Sequence, residues 1–395
     1  MERRVQYILT LNGGSSSIKY ALFESDGNLK RIFSGKVDHI GSPNTGMEIT
    51  DQVTGKTEHQ AIPAADHASV IQPLAQILEK RVDFNQIAAV AHRIVHGGIR
   101  YNEPELITPD MVSYLEQISP YDPEHLPTEI AMIRELYRYY PKIRQVACFD
   151  TAFHRDLPRV AKILSIPRRY FDEGVQRYGF HGLSYGFLID ELKNVAGEAA
   201  AHGRVILAHL GSGASMAAVR DGKSIDTTMA FTPTSGLVMS SRTGDIDPGL
   251  AAFLARTEKM TPDQFYQMAN YQSGLLGVSE TSSDMQELLK KERDDPRAGD
   301  AIALFCYTAR KFIGAYATVL NGLDTLVFSG GIGENSAVIR ARICTGLEFL
   351  GLGLDATRNN ANGPLISTEA SRVSVRVIKT DEEVQMARCV RSLLQ

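Results

Sequence analysis

Two familiar signatures are missing from this chain. It contains no G-x-x-x-x-G-K-[ST] P-loop and no G-x-G-x-x-G fingerprint, so neither standard nucleotide motif applies. The pattern G-x-S-x-G occurs as GLSYG, Gly182 to Gly186, but no strand pattern leads into it, so no nucleophile elbow is expected and a hydrolase that would use His96-Gly97-Gly98 as an oxyanion turn is set aside. Cysteine is scarce. The four thiols, Cys148, Cys306, Cys344 and Cys389, lie far apart with no C-x-x-C pair, so neither a zinc site nor a disulfide frame is expected. No charge of one sign dominates: 42 Lys+Arg against 46 Asp+Glu leave a net charge of −4, which argues against nucleic acid or an anionic membrane as partner. No apolar run approaches membrane-spanning length, and the stretch from Val5 to Leu11, broken by Gln6 and Thr10, reads as a strand rather than a signal peptide. These absences lead to the expectation of a soluble, cytoplasmic globular protein, and 395 residues favour two domains.

What is present alternates. QYILTL, AAVAHRIV, RQVACFD, RVILAHL and DTLVFSG are short aliphatic or β-branched runs bounded by polar residues or glycine, the pattern of strands. HASVIQPLAQILEK places Val70, Ile71, Leu74, Ile77 and Leu78 on one helical face. A longer helical pattern, GDAIALFCYTARKFIGAYATVLNGL, ends at Asn321-Gly322, a C-cap signal. The fold class is therefore α/β. An internal similarity adds to it: LTLNGGSSSIKYALFE and VILAHLGSGASMAAVRDGKSI share a strand, a Gly/Ser turn and a second strand, followed by Asp26-Gly27 and Asp221-Gly222 respectively. A third glycine turn, SGGIGEN, follows a strand and opens a helix.

Glycine turns directly after strands form concavities that bind anions through backbone N–H groups. Three of them in one chain point to a phosphate site. Around the first, Ser15, Ser16 and Ser17 add hydroxyl donors, Lys19 a positive charge, and Asn12 an oxygen toward a metal or its waters. Arg93 and His96 fall near one strand end, Asp150 and His154 near another; His181 sits in YGFHGLS and Arg242 in SSRTGDIDPG beside Asp245 and Asp247. Two arginines, a histidine and an aspartate beside glycine turns describe acyl or phosphoryl transfer, with arginines clamping the transferring group and a metal bridging the donor phosphates.

The motifs NGGSSSIK, HRIVHGG, FDTAFH, YGFHGLS, HLGSGAS, SRTGDIDP, GGIGEN and TDEE resemble, in order and from about Tyr7 to about Arg391, those of the acetate kinase family and its propionate kinase relatives. The resemblance implies two ribonuclease-H-like domains of the acetate and sugar kinase/heat-shock ATPase/actin superfamily, with the active site in the interdomain cleft. The expected division is 1–150, 151–380, and a last helix, 381–395, packing back on the first domain. It implies a cytoplasmic homodimer that moves a phosphoryl group between ATP and acetate, giving acetyl phosphate and ADP, with Mg2+ or Mn2+ as cofactor. Propionate or another short acid as acceptor, and pyrophosphate as donor, are the alternatives; a non-enzymatic ATP sensor of the same superfamily has no need of both arginines.

By the same resemblance, Asn12 and Glu382 hold the metal, Asp150, His181 and Arg242 are catalytic, and Arg93, Val95, Phe180 and Pro233 bind the acyl substrate. Lys19, His209, Leu210, Gly211, Ser212, Gly213, Asp284, Met285, Gln286, Gly331, Ile332, Gly333, Glu334 and Asn335 surround the nucleotide. In TDEE, Thr380 to Glu383, a capping box would turn Glu383 back on the helix start and leave Glu382 free for the metal. The chain departs from the family pattern at Ser212, at Thr234-Ser235, at Gln286, and at Tyr121-Asp122 in PYDPEHLP, which bears on acyl size and on donor preference.

Overall fold

The computed structural model describes residues 6–14 and 17–395; Ser15 and Ser16 lie outside the described residues. The chain divides into two compact units, Met1–Ala152 with Asp381–Gln395, and Phe153–Thr380.

The first unit is built on an eight-stranded sheet. Its strands are β1 Tyr7–Gly13, β2 Ile18–Glu24, β3 Arg31–Asp38, β4 Gly46–Asp51, β5 Thr57–Ala61, β6 Ile87–Ile94, β7 Glu105–Leu106 and β8 Arg144–Phe149, in the order β5-β4-β3-β2-β1-β6-β8-β7. β1, β6 and β8 run parallel, while β1 to β3 form an antiparallel meander. The central strands carry continuous apolar runs because both faces are covered: Ile8, Leu9 and Leu11 of β1 and Val90 and Ala91 of β6 are buried. Helix His67–Glu79 contributes Val70, Ile71, Leu74 and Leu78 to the core, with Ile77 partly buried against it. Each such side chain is worth about 1.5–3 kcal/mol when fully removed from water. Helix Glu382–Leu394, from the far end of the sequence, packs on β1, β2, β6 and β8.

The second unit repeats the plan with five strands, β9 Val205–Leu210, β10 Ala214–Arg220, β11 Lys223–Thr227, β12 Thr325–Ser329 and β13 Ser374–Val377, ordered β11-β10-β9-β12-β13. Again the first strand pairs antiparallel with the second and parallel with the fourth. The order β3-β2-β1-β6-β8 of the first sheet and this one are the same ribonuclease-H-like arrangement, so the internal similarity in sequence is a similarity of topology. Asp221 and Gly222 both take positive φ (53° and 71°), the tight turn that matches strand twist. Helix Pro296–Val319 is capped at Leu320 and followed by Asn321 at φ 57°. Among the described residues no helix is long and apolar enough to cross a membrane.

Candidate functional site

In the first unit the polar residues gather at the carboxyl ends of β1, β6 and β8. Arg93, near the end of β6, donates from Nε and Nη2 to Oδ2 of Asp150 at 3.0 and 2.6 Å and from Nη1 to the Gly13 carbonyl at 2.8 Å. Asp150, one residue past β8, is buried; its Oδ1 has no hydrogen-bond partner among the described residues. Burial pulls the Arg93 pKa down, but the charges of Asp150, Glu129 and Glu382 outweigh it and raise the value above that of a free guanidinium. Asn12, paired with Lys19 across the hairpin, donates its Nδ2 to Oε2 of Glu382 at 2.8 Å and to Oε1 of Glu383 at 3.2 Å. Both glutamates have raised pKa values, chiefly from burial, with Asp150 adding to Glu382 and Glu382 to Glu383.

This corrects the capping-box expectation. The cap is Asp381, whose side chain accepts from Val384 N at 3.0 Å, so both Glu382 and Glu383 are left to meet Asn12. Thr380 is occupied elsewhere: its N–H donates to Glu334 Oε1 at 3.1 Å and its hydroxyl contacts Ser184 at 2.8 Å.

A divalent-metal reading can be tested on these groups. Among the described residues no three or more His, Cys, Asp and Glu side chains are arranged to hold a metal ion. The amide oxygen of Asn12, the half-buried Glu382 carboxylate and an Asp150 oxygen lacking a donor suit a hard cation that keeps most of its shell from waters and substrate phosphates. The residues fit Mg2+.

The second unit presents different chemistry at the matching place. His181 has φ 58°, in the left-handed region, immediately before helix Gly182–Ala196. Its ring stacks on that of His209, with centroids 4.3 Å apart. Each imidazole is anchored through Nδ1: His181 to Ser215 at 2.8 Å, and His209 to Ser184 at 2.9 Å. Ser215 is held in turn by the Tyr185 hydroxyl. A Cβ built on Gly213 would lie 3.4 Å from His181 Nε2 and 3.8 Å from Arg242 Nη1, so the absence of a side chain there leaves open a space that both groups border. Arg242 donates to the Pro233 carbonyl at 3.2 Å and has no carboxylate partner among the described residues. An anchored imidazole and an arginine without a counterion make an anion site.

The third glycine turn is locked from behind. Gly330 has φ +75°, and a Cβ on it would fall 2.7 Å from the Leu210 carbonyl, so only glycine fits. Oε1 of Glu334 accepts from Gly330 N at 3.0 Å and from Ser329 Oγ at 3.3 Å. Glu334 thus braces the turn, and Asn335 Nδ2 holds the Gly331 carbonyl at 2.8 Å. Gly331 itself faces open space, while its N–H and His209 Nε2 both approach Gly211.

The remaining sequence candidates differ in exposure and in what they contact. Asp284 caps helix Met285–Lys291 by accepting from Gln286 N and Glu287 N at 2.8 and 2.9 Å; Met285 is buried and Gln286 exposed. Lys19 and Ser212 are exposed, whereas Val95, Phe180 and Leu210 are buried. Tyr121 lies edge-on to His96 at 5.5 Å, and Leu126 is fully buried. Thr234 binds Asn270 at 2.6 Å and Ser235 accepts from Ala230 N at 2.8 Å, so both serve the loop. Sequence reasoning missed Ser184, Ser215 and Glu129. Nothing local to Ser184 or Ser215 names the imidazole each one anchors, and Glu129 in the first turn of a helix looks like a dipole-facing surface acid.

A model described as the Acetokinase family matches residues 7–388. An acetate kinase from Methylocella silvestris is 41% identical over 401 residues, covering 98% of each chain. A crystal structure of acetate kinase from Porphyromonas gingivalis superposes with a TM-score of 0.89 at 34% identity, covering 99% of this chain and 100% of that one. A propionate kinase structure from Francisella tularensis gives 0.91 at 34% identity, with 97% and 98% covered.

Proposed function

The chain belongs to the acetokinase family, and on that premise we propose that it catalyses reversible, Mg2+-dependent phosphoryl transfer between ATP and acetate, giving acetyl phosphate and ADP. The observation that carries the reading is the pair His181 and Arg242 bordering the bare face of Gly213, a cationic gap in which Arg242 has no carboxylate partner among the described residues. In that gap the transferring phosphoryl group finds a guanidinium and an imidazole already positioned. Preorganised charge of this kind stabilises what develops in the transition state.

The acceptor carboxylate is anionic at neutral pH and needs no base. Asp150 therefore acts by orienting Arg93, whose Nε and Nη2 it holds; the guanidinium N–H groups not engaged by Asp150 and by the Gly13 carbonyl receive the carboxylate. Val95 of the first unit and Phe180 and Pro233 of the second are the residues we assign to the methyl group. Transfer is in line from donor to acceptor oxygen, without a phosphoenzyme, and rests on alignment and charge neutralisation. Asn12 and Glu382 would hold the Mg2+, which when bound neutralises the donor phosphates. Lys19, His209 to Gly213 and Gly331 to Asn335 receive the nucleotide, with Glu334 acting as the brace of its turn.

The likeness to a propionate kinase supports propionate as a second acceptor. The test is phosphate transfer from ATP to acetate, propionate and butyrate, trapped as hydroxamates. Acetyl hydroxamate is expected to form fastest, and no product with any acid overturns the assignment.

We also place the protein in the cytoplasm as a homodimer. Helix Gly249–Thr257 buries none of its residues although it reads GLAAFLART. It borders a groove of about 570 Å³ where Ile246, Leu250, Leu304 and Tyr307 are exposed. Apolar surface of that kind suits a second copy, and sedentation-equilibrium mass measurement would read one chain or two.

A further inference from the structure

Glu129 is a buried carboxyl group that the reaction does not use. It lies in the first turn of helix Leu126–Tyr139, and both its oxygens turn to one donor, the Val95 N–H, at 3.2 and 3.0 Å. Among the described residues no other hydrogen bond reaches it. One shared N–H is little support for a full charge removed from water, and burial pushes its pKa up to about 7 against the pull of Arg93, of His125 and of the Val95 N–H, with Asp122 pushing the same way as burial. A small cavity beside it is also lined by His67, Glu124 and His125. Among the described residues these, with Arg93 from β6 and Asp122 from the preceding loop, are the ionisable groups that face it.

Arg93 links this carboxyl to the acceptor. Its cation is already met by Asp150 through two hydrogen bonds, and it also feels the charges of Glu129 and Glu382. With Glu129 ionised, a second acidic charge burdens the guanidinium before any substrate arrives, and an incoming anion meets net repulsion at short range in a medium of low polarity. With Glu129 neutral, that charge is gone. Because Glu129 also holds the backbone of Val95, its proton and the acyl wall are coupled at one residue.

We propose that Glu129 is a positioning residue whose proton sets the charge met by the substrate carboxylate at Arg93, so that binding of the acyl acceptor takes up one proton at this carboxyl. The proton comes from solvent and returns when the acid leaves. No bond to substrate forms. The inference rests on the reading that Arg93 receives the acceptor carboxylate.

The acid itself stays ionised across the neutral range, so a rise in its KM with pH reports the protein. If only the neutral form of Glu129 accepts acetate, KM for acetate rises roughly fivefold between about pH 7 and about pH 8, as the competent fraction falls. ATP is kept saturating as its Mg2+ complex at each pH. In Glu129→Gln, which cannot ionise, the rise is expected to vanish. An acetate KM independent of pH in the native enzyme, or the same rise in Glu129→Gln, overturns the proposal, as does a variant that loses kcat alone, the mark of a merely structural role. Should the variant fail to fold, titration calorimetry of the native protein with acetate near pH 8, in two buffers of different ionisation heat, reads proton uptake directly. No uptake overturns the proposal. Failure of the underlying reading shows separately: Arg93→Lys keeps the charge but loses the forked geometry, and an unchanged acetate KM there removes Arg93 as the carboxylate receiver, and the Glu129 proposal with it. A raised KM in Arg93→Lys alongside a flat native pH profile removes the Glu129 proposal alone.

Discussion

The two units repeat one strand arrangement, yet the ends of their sheets are equipped in opposite ways. At the end of β6 and β8, Arg93 is tied to a buried aspartate, and Glu129, Glu382 and Glu383 crowd the same region. In the second unit Arg242 has no carboxylate partner among the described residues, and the neighbouring polar groups are imidazoles anchored by serines. The frame therefore does not dictate the charge. One copy concentrates carboxylates, which suit a cation and position an arginine; the other keeps its arginine uncompensated, which suits a phosphoryl group.

The sharpest way to break that contrast is to remove each arginine. Arg93→Ala deletes one partner of a buried ion pair and should destabilise the fold by about 3–5 kcal/mol as well as abolishing acceptor binding. Arg242→Ala has no such pair to break. It should leave the unfolding midpoint in urea close to that of the native protein and lower kcat/KM by roughly 10²–10³. Hydroxamate assays and urea titrations of the two variants side by side decide the matter; native-like turnover in Arg242→Ala would contradict the charge-stabilising role.

A second comparison sets two glycines of the second unit against each other. Gly330→Ala forces a positive-φ alanine against the Leu210 carbonyl and should cost about 1–3 kcal/mol in stability, seen as a lowered thermal midpoint. In Gly213→Ala the new methyl meets His181 and Arg242 only at ordinary contact distances, so the fold should hold while the methyl occupies the anion gap and turnover falls. Equal effects of both substitutions on melting would show that Gly213 is structural.

On the acidic side, Asn12→Ala frees Glu382 and Glu383 from the amide that holds them. A roughly tenfold higher Mg2+ requirement is expected, on the scale seen when groups that support metal ligands are removed, and a Mg2+ titration of activity at saturating ATP reads it. An unchanged requirement would remove Asn12 from the metal site.

The smallest effect concerns the donor. Gln286 is exposed, and glutamine lacks the flat cationic face of arginine, so ATP is the expected donor with only modest preference over GTP. Gln286→Arg should sharpen that preference a few-fold, on the order of the weak stacking of an exposed cation on a base. Comparison of kcat/KM for ATP, GTP and pyrophosphate tests it, and pyrophosphate outperforming ATP overturns the donor.

Much of this was legible in the chain. The five aliphatic runs are β1, β6, β8, β9 and β12, because strands covered on both faces must be apolar throughout. The more polar strands β3 to β5, on one side of the sheet, gave no such signal, since a solvated face dilutes the pattern. Of the site, the arginines, Asp150 and the glycine turns stood out by residue type and motif. Their partners did not: whether Glu383 would cap a helix or face Asn12 depended on where the C-terminal helix docks, 371 residues away in sequence.

The sequence by itself determined the alternation of strands and helices, the duplicated hairpin plan and the family, because apolar period and local turn chemistry are written residue by residue. Tertiary structure alone decided which charges are compensated. Arg93 and Arg242 look alike as letters. Burial beside Asp150 and Glu129 neutralises the first, and the lack of a carboxylate partner among the described residues leaves the second to meet an anion, since desolvation and Coulomb attraction act through space over a few ångströms and not along the chain.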